Sequence, residues 1–400
     1  MRIGMLVDAY KPYVSGITNY VALSKRFLEK AGQEVFVFAF GGDDYVDDEP
    51  NIIRTRGLLL VDSGYYFSVR YNLHAQKILR TMDLVHVHHP FVSGRLALRY
   101  CQPRGIPMVF TNHTRYDLYT QAYLPMIPEV VGDTFLRAYM PSFCKSCDLV
   151  IAPSAGLREV LRGLGVESPI EVIPNGVDLA PFQAGPEAVS RADIGFSDKD
   201  VILTYTGRLG PEKNLAFLLR AYAGTARAYE NVGLLIIGDG PERDNLEALV
   251  RIMGIADRVH FTGVVAYEEI PRYLVAADAF VTASVTEVHP LSVIEAMAAG
   301  LPVLGIRSPG VSDTVEDGVS GLIAQEEDLA EFTAKMVRLV TDQERRKKMR
   351  AQAIQAAGAY AIERTTNLIL EQYQRLVEAA SGRKRGMRSR VTHWVDKILS

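Results

Sequence analysis

One pattern limits what this chain can fold into more than any other. Short apolar runs alternate with helical stretches, and near residue 175 the alternation stops and begins again. In the first half the runs are Arg2–Val7, Glu34–Phe40, Leu84–His88 and Met108–Thr111, with a helical stretch at Thr18–Ala31. Alternation of this kind implies a parallel sheet covered by helices on both faces. Ile170-Glu-Val-Ile-Pro-Asn-Gly-Val-Asp178 then ends in a turn signal, which puts a linker at 175 to 185. The second series has strands at Val201–Thr206, Gly233–Gly238, Val259–Thr262, Ala279–Val285 and Pro302–Ile306, and beyond Leu329 the pattern is helical to about Ala380. Four hundred residues exceed what one core holds. The expectation is therefore an α/β fold of two doubly wound domains, 1–175 and 176–375, facing each other across a cleft. Ligands of such sheets bind beyond the carboxyl ends of the strands, so residues just after strands are the first candidates.

Bulk properties exclude several classes. A net charge of −3 argues against a dedicated nucleic-acid binder. The first eight residues lack the length and cleavage site of a signal peptide, and no uncharged run reaches the roughly 18 residues of a membrane span. A cytoplasmic protein is expected. The cysteines, Cys101, Cys144 and Cys147, are odd in number and read as buried thiols, although Cys144 and Cys147 have CxxC spacing. His86-Val-His88-His89 invites a metal reading, but no third ligand stands at usual spacing. No metal is expected.

The stretch Glu287-Val-His-Pro-Leu-Ser-Val-Ile-Glu295 places two carboxylates across a strand-to-helix junction, an arrangement suited to a polyol. Pro290 suits a first helical turn, and Gly300 and Pro302 end the helix. The free N–H groups between the carboxylates can bind an anion such as a phosphate.

Four other pieces fall after strands. Asp8-Ala-Tyr-Lys-Pro-Tyr-Val-Ser-Gly16 opens into a helix, where Gly16 lets backbone N–H groups approach a phosphate or simply makes a βα turn. Thr206-Gly207-Arg208-Leu-Gly-Pro-Glu-Lys213 supplies two cations able to neutralise a diphosphate; surface ion pairing is the alternative. Gly238-Asp-Gly240-Pro-Glu-Arg243 starts like a dinucleotide fingerprint but has Arg243 where the third glycine belongs, which favours a glycine-lined turn near a nucleotide over a nicotinamide site. His113 follows a strand and can bond a sugar hydroxyl or act as acid or base.

Together these pieces, with Ile173-Pro-Asn-Gly-Val-Asp178 and Ala296-Met-Ala-Ala-Gly-Leu-Pro-Val303, resemble the family-4 retaining glycosyltransferases of GT-B fold, with two Rossmann-like domains. The resemblance spans nearly the whole chain. It implies a nucleotide-sugar donor, with Glu295 on the ribose hydroxyls and Glu287 and the backbone of Val288, His289, Pro290 and Leu291 on the hexose. It assigns the diphosphate to Arg208 and Lys213, joined by the backbone at Gly16, puts His113 near the sugar's 6-hydroxyl, and leaves the Gly207 and Gly238 turns among the residues expected to bind the nucleotide sugar. It further implies retention, no divalent metal or other cofactor, and front-face substitution.

Two departures bear on selectivity. Ser15-Gly16 replaces the family's Gly-Gly, and Val288-His289-Pro290 replaces its Gly-Phe-Gly, so the His289 side chain can face the hexose.

The acceptor is read from two segments. Arg115 to Ile127 carries Tyr116, Tyr119 and Tyr123 among large apolar residues, either as buried packing or as a lipid-binding lip, and is similar to the corresponding part of bacterial diacylglycerol glucosyltransferases. Gly382 to Leu399 joins a basic cluster to the only tryptophan, Trp394. It suits an anionic membrane surface, a solubilising tail, or a helix at about 376–400 packed back on the first domain. The resulting expectation is a peripheral enzyme on the inner face of the cell membrane, moving glucose from UDP-glucose to a lipid such as diacylglycerol. A family-4 enzyme with a sugar, glycan or polyol acceptor, a sugar-nucleotide epimerase and a non-catalytic binder remain as alternatives.

Overall fold

The computed structural model describes every residue except 14, 42–44, 60–65, 119–128 and 400, with side chains also set aside at 59, 67, 129–130 and 383–399. Its first sheet contains β1 (Arg2–Leu6), β2 (Glu34–Gly41), β3 (Ile52–Arg56), β6 (Leu84–Val87), β7 (Met108–Thr111), β8 (Leu149–Ala152) and β9 (Ile170–Val172). These strands are all parallel, in the order β3-β2-β1-β6-β7-β8-β9, and β4 (Leu58–Leu59) and β5 (Tyr66–Phe67) form a separate antiparallel pair. The second sheet holds β10 (Val201–Thr206), β11 (Val232–Ile237), β12 (Val259–Gly263), β13 (Ala279–Val281), β14 (Val303–Ile306) and β15 (Gly321–Ala324). Its order is β12-β11-β10-β13-β14-β15, again all parallel. Both are doubly wound Rossmann-like sheets, and each order reverses at the strand the chain enters first.

The strands read as continuous apolar runs because both faces are covered. Along β1, Leu6 joins a cluster with Phe36, Phe38 and Val85, while Ile3 and Met5 join another with Val35, Val37 and Leu84. In β10, Leu203 and Tyr205 pack on one side and Ile202 on the other. Each such fully buried side chain contributes about 1.5–3 kcal/mol, which is what fixes the register of the post-strand loops.

The expected strand Ala279–Val285 is only Ala279–Val281 long. Pairing ends at Phe280 with β10 and at Val281 with β14, where Thr282 N–H still donates to Leu304 O at 2.9 Å, and the chain runs on to residue 290 as a long loop.

The chain passes between domains twice. Ile173 is in the first domain's core and Val177 in the second's. The return lies earlier than the expected 376: helix Ile362–Leu399 leaves the second domain and buries Ile369, Leu370 and Tyr373 among Ile3, Met5, Leu84 and Val109. That apolar face of the helix draws its first turns out of the expected second domain. The two crossings lie together, Val177 N–H donating to Tyr360 O at 2.9 Å and Ile362 N–H to Val177 O at 2.9 Å.

Candidate active site

Two loops meet at the reversal point of the second sheet. The loop after β10 turns through Pro211–Lys213 into Asn214, whose φ of 53° is left-handed. The Glu212 carbonyl accepts hydrogen bonds from Ser284 Oγ at 3.2 Å and Thr286 Oγ1 at 3.4 Å, and Asn214 Nδ2 donates to Ala283 O at 3.4 Å. These contacts knit the loop to the residues after β13. Lys213 Nζ consequently stands 2.8 Å from Glu287 Oε1, each side chain about one-fifth exposed. Arg208 Nη1 lies 3.9 Å from Oε1 of the buried Glu212, whose carboxylate occupies the space where Gly210 lacks a Cβ. The one loop thus carries two cations, Lys213 paired with Glu287 and Arg208 near Glu212.

Glu295 is the fifth residue of helix Leu291–Ala298 and is 7% exposed. Burial pushes its carboxyl up to about 7, and a 3.0 Å hydrogen bond from the Tyr267 hydroxyl works against that rise. Tyr267 was not found from the sequence; its position after β12, on a strand end of the same sheet, was the available signal. Pro290 caps the helix without a side-chain hydrogen bond, which leaves the N–H groups of the first turn without a capping side chain from that residue. The His289 ring does not open toward a ligand. It is 4% exposed and meets Tyr360 edge-on at 5.0 Å, while its carbonyl accepts from Asn175 Nδ2 at 3.2 Å. The expectation that its side chain faces a sugar is corrected: ring burial at the domain junction leaves only the backbone of this segment for binding.

The glycines divide into two kinds. Gly16 begins helix Gly16–Lys30 behind the cap Ser15, and a Cβ there would meet nothing within 4 Å. Gly207 and Gly238 are instead confined by packing, a Cβ at Gly207 falling 2.9 Å from the Tyr205 hydroxyl. At Gly238, with φ of 134°, a Cβ would fall 2.1 Å from the Gly207 carbonyl oxygen. Its bareness is consumed by packing the β10 and β11 loops together, so only its backbone is available to a ligand.

In the first domain His113 is partly exposed after β7, with Nε2 3.0 Å from His88 Nδ1. Burial and the neighbouring histidines hold its pKa well below the usual imidazole value, so it is neutral at physiological pH. Among the described residues no group of three His, Cys, Asp or Glu side chains is placed to hold a metal ion. Cys101, Cys144 and Cys147 are free thiols, the first two pushed up to about 12 by burial. Tyr116 packs edge-on against Phe91, whereas Tyr119 and Tyr123 lie outside the described residues. The basic segment after Gly382 has a helical backbone to Leu399, and its side chains lie outside those described.

Two Rossmann-like domains, with cations and carboxylates gathered at the reversal point of the second, define a glycosyltransferase of GT-B type. Comparison with known proteins agrees. The family described as Glycosyltransferase Family 4 matches residues 14–181, and that described as Glycosyl transferases group 1 matches residues 187–356. An alpha-monoglucosyldiacylglycerol synthase of Streptococcus pneumoniae is 31% identical over 341 residues, spanning 82% of this chain and 77% of that protein. One from Acholeplasma laidlawii is 28% identical over 337 residues, spanning 80% and 84%. The sucrose-phosphate synthase structure from Thermosynechococcus elongatus shares the fold, with TM-score 0.77 at 22% identity, covering 94% of this chain and 99% of that one. The chain belongs to the family-4 glycosyltransferases.

Proposed function

We propose that this enzyme transfers glucose from UDP-glucose to diacylglycerol at an anionic membrane surface on the inner face of the cell membrane, with retention and without a metal. The observation that carries the donor half is the Lys213–Glu287 contact at 2.8 Å, which puts a cation for the departing diphosphate and an acceptor for sugar hydroxyls side by side. Glu295, eight residues on, receives the ribose hydroxyls. Arg208 shares the diphosphate, Gly16 offers an unobstructed backbone to it from the first domain, and His113 touches the hexose.

Retention by two displacements requires a carboxylate free to attack the anomeric carbon. Glu287 is held by Lys213, which favours front-face substitution instead. The acceptor oxygen bonds to the anomeric carbon as the bond to the diphosphate oxygen breaks, and the acceptor's proton passes to that departing oxygen. Arg208 and Lys213 stabilise the charge that develops on the leaving group. The lipid acceptor is supported by the names of the two synthases, and the membrane surface by the basic segment after Gly382. Among the described residues no helix is long and apolar enough to cross a membrane.

The test offers the protein a panel of radiolabelled sugar nucleotides with membrane lipid extract and separates the products, with and without EDTA. Label should move from UDP-glucose alone into a diacylglycerol-derived glycolipid with an α-linkage, unaffected by chelation. Label confined to water-soluble product would overturn the acceptor, and preference for another nucleotide would overturn the donor.

A further inference from the structure

The histidines of the first domain are ordered in a way that the chemistry above does not use. His86 and His88 are fully buried, their ring centroids 4.2 Å apart. Both nitrogens of His86 are engaged, Nδ1 with the Tyr373 hydroxyl at 2.5 Å and Nε2 with the Thr111 hydroxyl at 2.7 Å. His88 differs. Its Nδ1 lies 3.0 Å from His113 Nε2, while its own Nε2 is buried and meets no hydrogen-bond partner among the described residues. The flanking Tyr20 ring, 5.8 Å away and edge-on, is no conventional acceptor.

Two neutral imidazoles in contact place one hydrogen between them, so one donates and the other accepts. Burial keeps both His88 and His113 neutral. If His113 donated from Nε2, His88 would carry its hydrogen on its own Nε2, a buried N–H with no acceptor. If His88 donates from Nδ1, its Nε2 is a bare ring nitrogen that gives up only a weak acceptor contact. The second arrangement avoids the orphaned donor and is the one buried polar groups adopt. His113 then carries its hydrogen on Nδ1, and that nitrogen meets no protein partner among the described residues while the residue is partly exposed.

We infer that His88 is a positioning residue that fixes the tautomer of His113, so that His113 presents an N–H rather than a lone pair to the transferred sugar. Only the identity of the receiving group rests on the function proposed above. A hexose must then offer an acceptor oxygen at that point: a hydroxyl or a carboxylate satisfies the N–H, whereas a 6-deoxy sugar does not.

Two measurements test this. In protein labelled with 15N-histidine, with His113→Gln used for assignment, the His113 Nδ1 should have the shift of a protonated ring nitrogen and Nε2 that of an unprotonated one. The opposite assignment overturns the inference whatever the donor proves to be. In steady-state assays, His88→Leu should lower kcat/KM for UDP-glucose by roughly five- to tenfold, the scale of one lost hydrogen bond, with no matching loss for UDP-6-deoxyglucose. His88→Asn, whose amide can donate from nearly the same place, should recover most of the activity and the wild-type His113 shifts. Equal losses for both donors and both variants, with unchanged His113 shifts, would reduce His88 to core packing.

Discussion

The sharpest consequence of the site is a pH dependence centred on Glu295. Its carboxyl rises from 4.5 to about 7 on burial, so near neutrality it is divided between an acid and a carboxylate. Ribose hydroxyls that donate to it favour the carboxylate, and binding then requires the proton to leave. If only the ionised form binds, affinity for UDP-glucose should strengthen roughly tenfold from pH 6 to pH 8. The diphosphate of UDP-glucose carries no group titrating in this window, and His113 and His289 stay neutral throughout because burial lowers both. The stability of the free enzyme runs the other way. The folded value lies above the unfolded one, so the carboxyl stabilises the fold below about pH 4.5, and this contribution is lost as the pH rises through about 7. Glu295→Gln removes the titration, and its stability relative to wild type should improve by about 2 to 3 kcal/mol between pH 5 and pH 8. Isothermal titration calorimetry with UDP-glucose from pH 6 to pH 8, in buffers of different ionisation enthalpy, reads both affinity and protons released. An affinity flat with pH, or a slope that survives in Glu295→Gln, would refute the reasoning.

Three further outcomes are expected. Lys213→Ala should reduce kcat by roughly 100- to 1,000-fold, the scale of losing one preorganised charge partner, while thermal unfolding changes little; full turnover would remove Lys213 from the diphosphate. Gly238→Ala forces a methyl to within 2.1 Å of the Gly207 carbonyl at a φ of 134°, and should cost about 2 to 4 kcal/mol in denaturant unfolding; a near-neutral result would show that the two loops separate freely. Removing 383–400 should weaken cosedimentation with anionic vesicles and leave binding to neutral ones unchanged, and unaltered anionic binding would take the basic segment out of the membrane argument.

The legible parts of this molecule were those encoded locally. Continuous apolar runs announced strands covered on both faces, and Pro290, Gly300 and Pro302 marked the limits of the helix carrying Glu295. Lys213 and Glu287 could be named from their loops, but their 2.8 Å contact depends on Ser284 and Thr286 gripping the Glu212 carbonyl, a link between loops more than 70 residues apart. Tyr267 follows a strand of the same sheet, which marks it only as one candidate among many, since nothing near it in sequence reveals a buried carboxylate 28 positions away. The run from Ala279 to Val285 reads as one unbroken strand, yet the strand ends at Val281, and Ala283 and Ser284 bond instead to the loop after β10 through Asn214 and the Glu212 carbonyl. The return of the last helix turns on Tyr373 finding His86 across 287 positions, a contact no periodicity could indicate.

The paired crossings at Val177 and Ala361 have a mechanical consequence. Two segments linked by reciprocal backbone hydrogen bonds resist being pulled apart or slid past each other, because either displacement breaks both bonds. Gly176 tightens the joint further, since a Cβ there would fall 2.1 Å from Thr365 Oγ1. The crossings are thus fixed to each other on the second domain's side, and the halves also meet elsewhere, Gly156 N–H donating to Asp313 Oδ2 at 2.8 Å, so an opening that admits a donor between them has to release that contact as well.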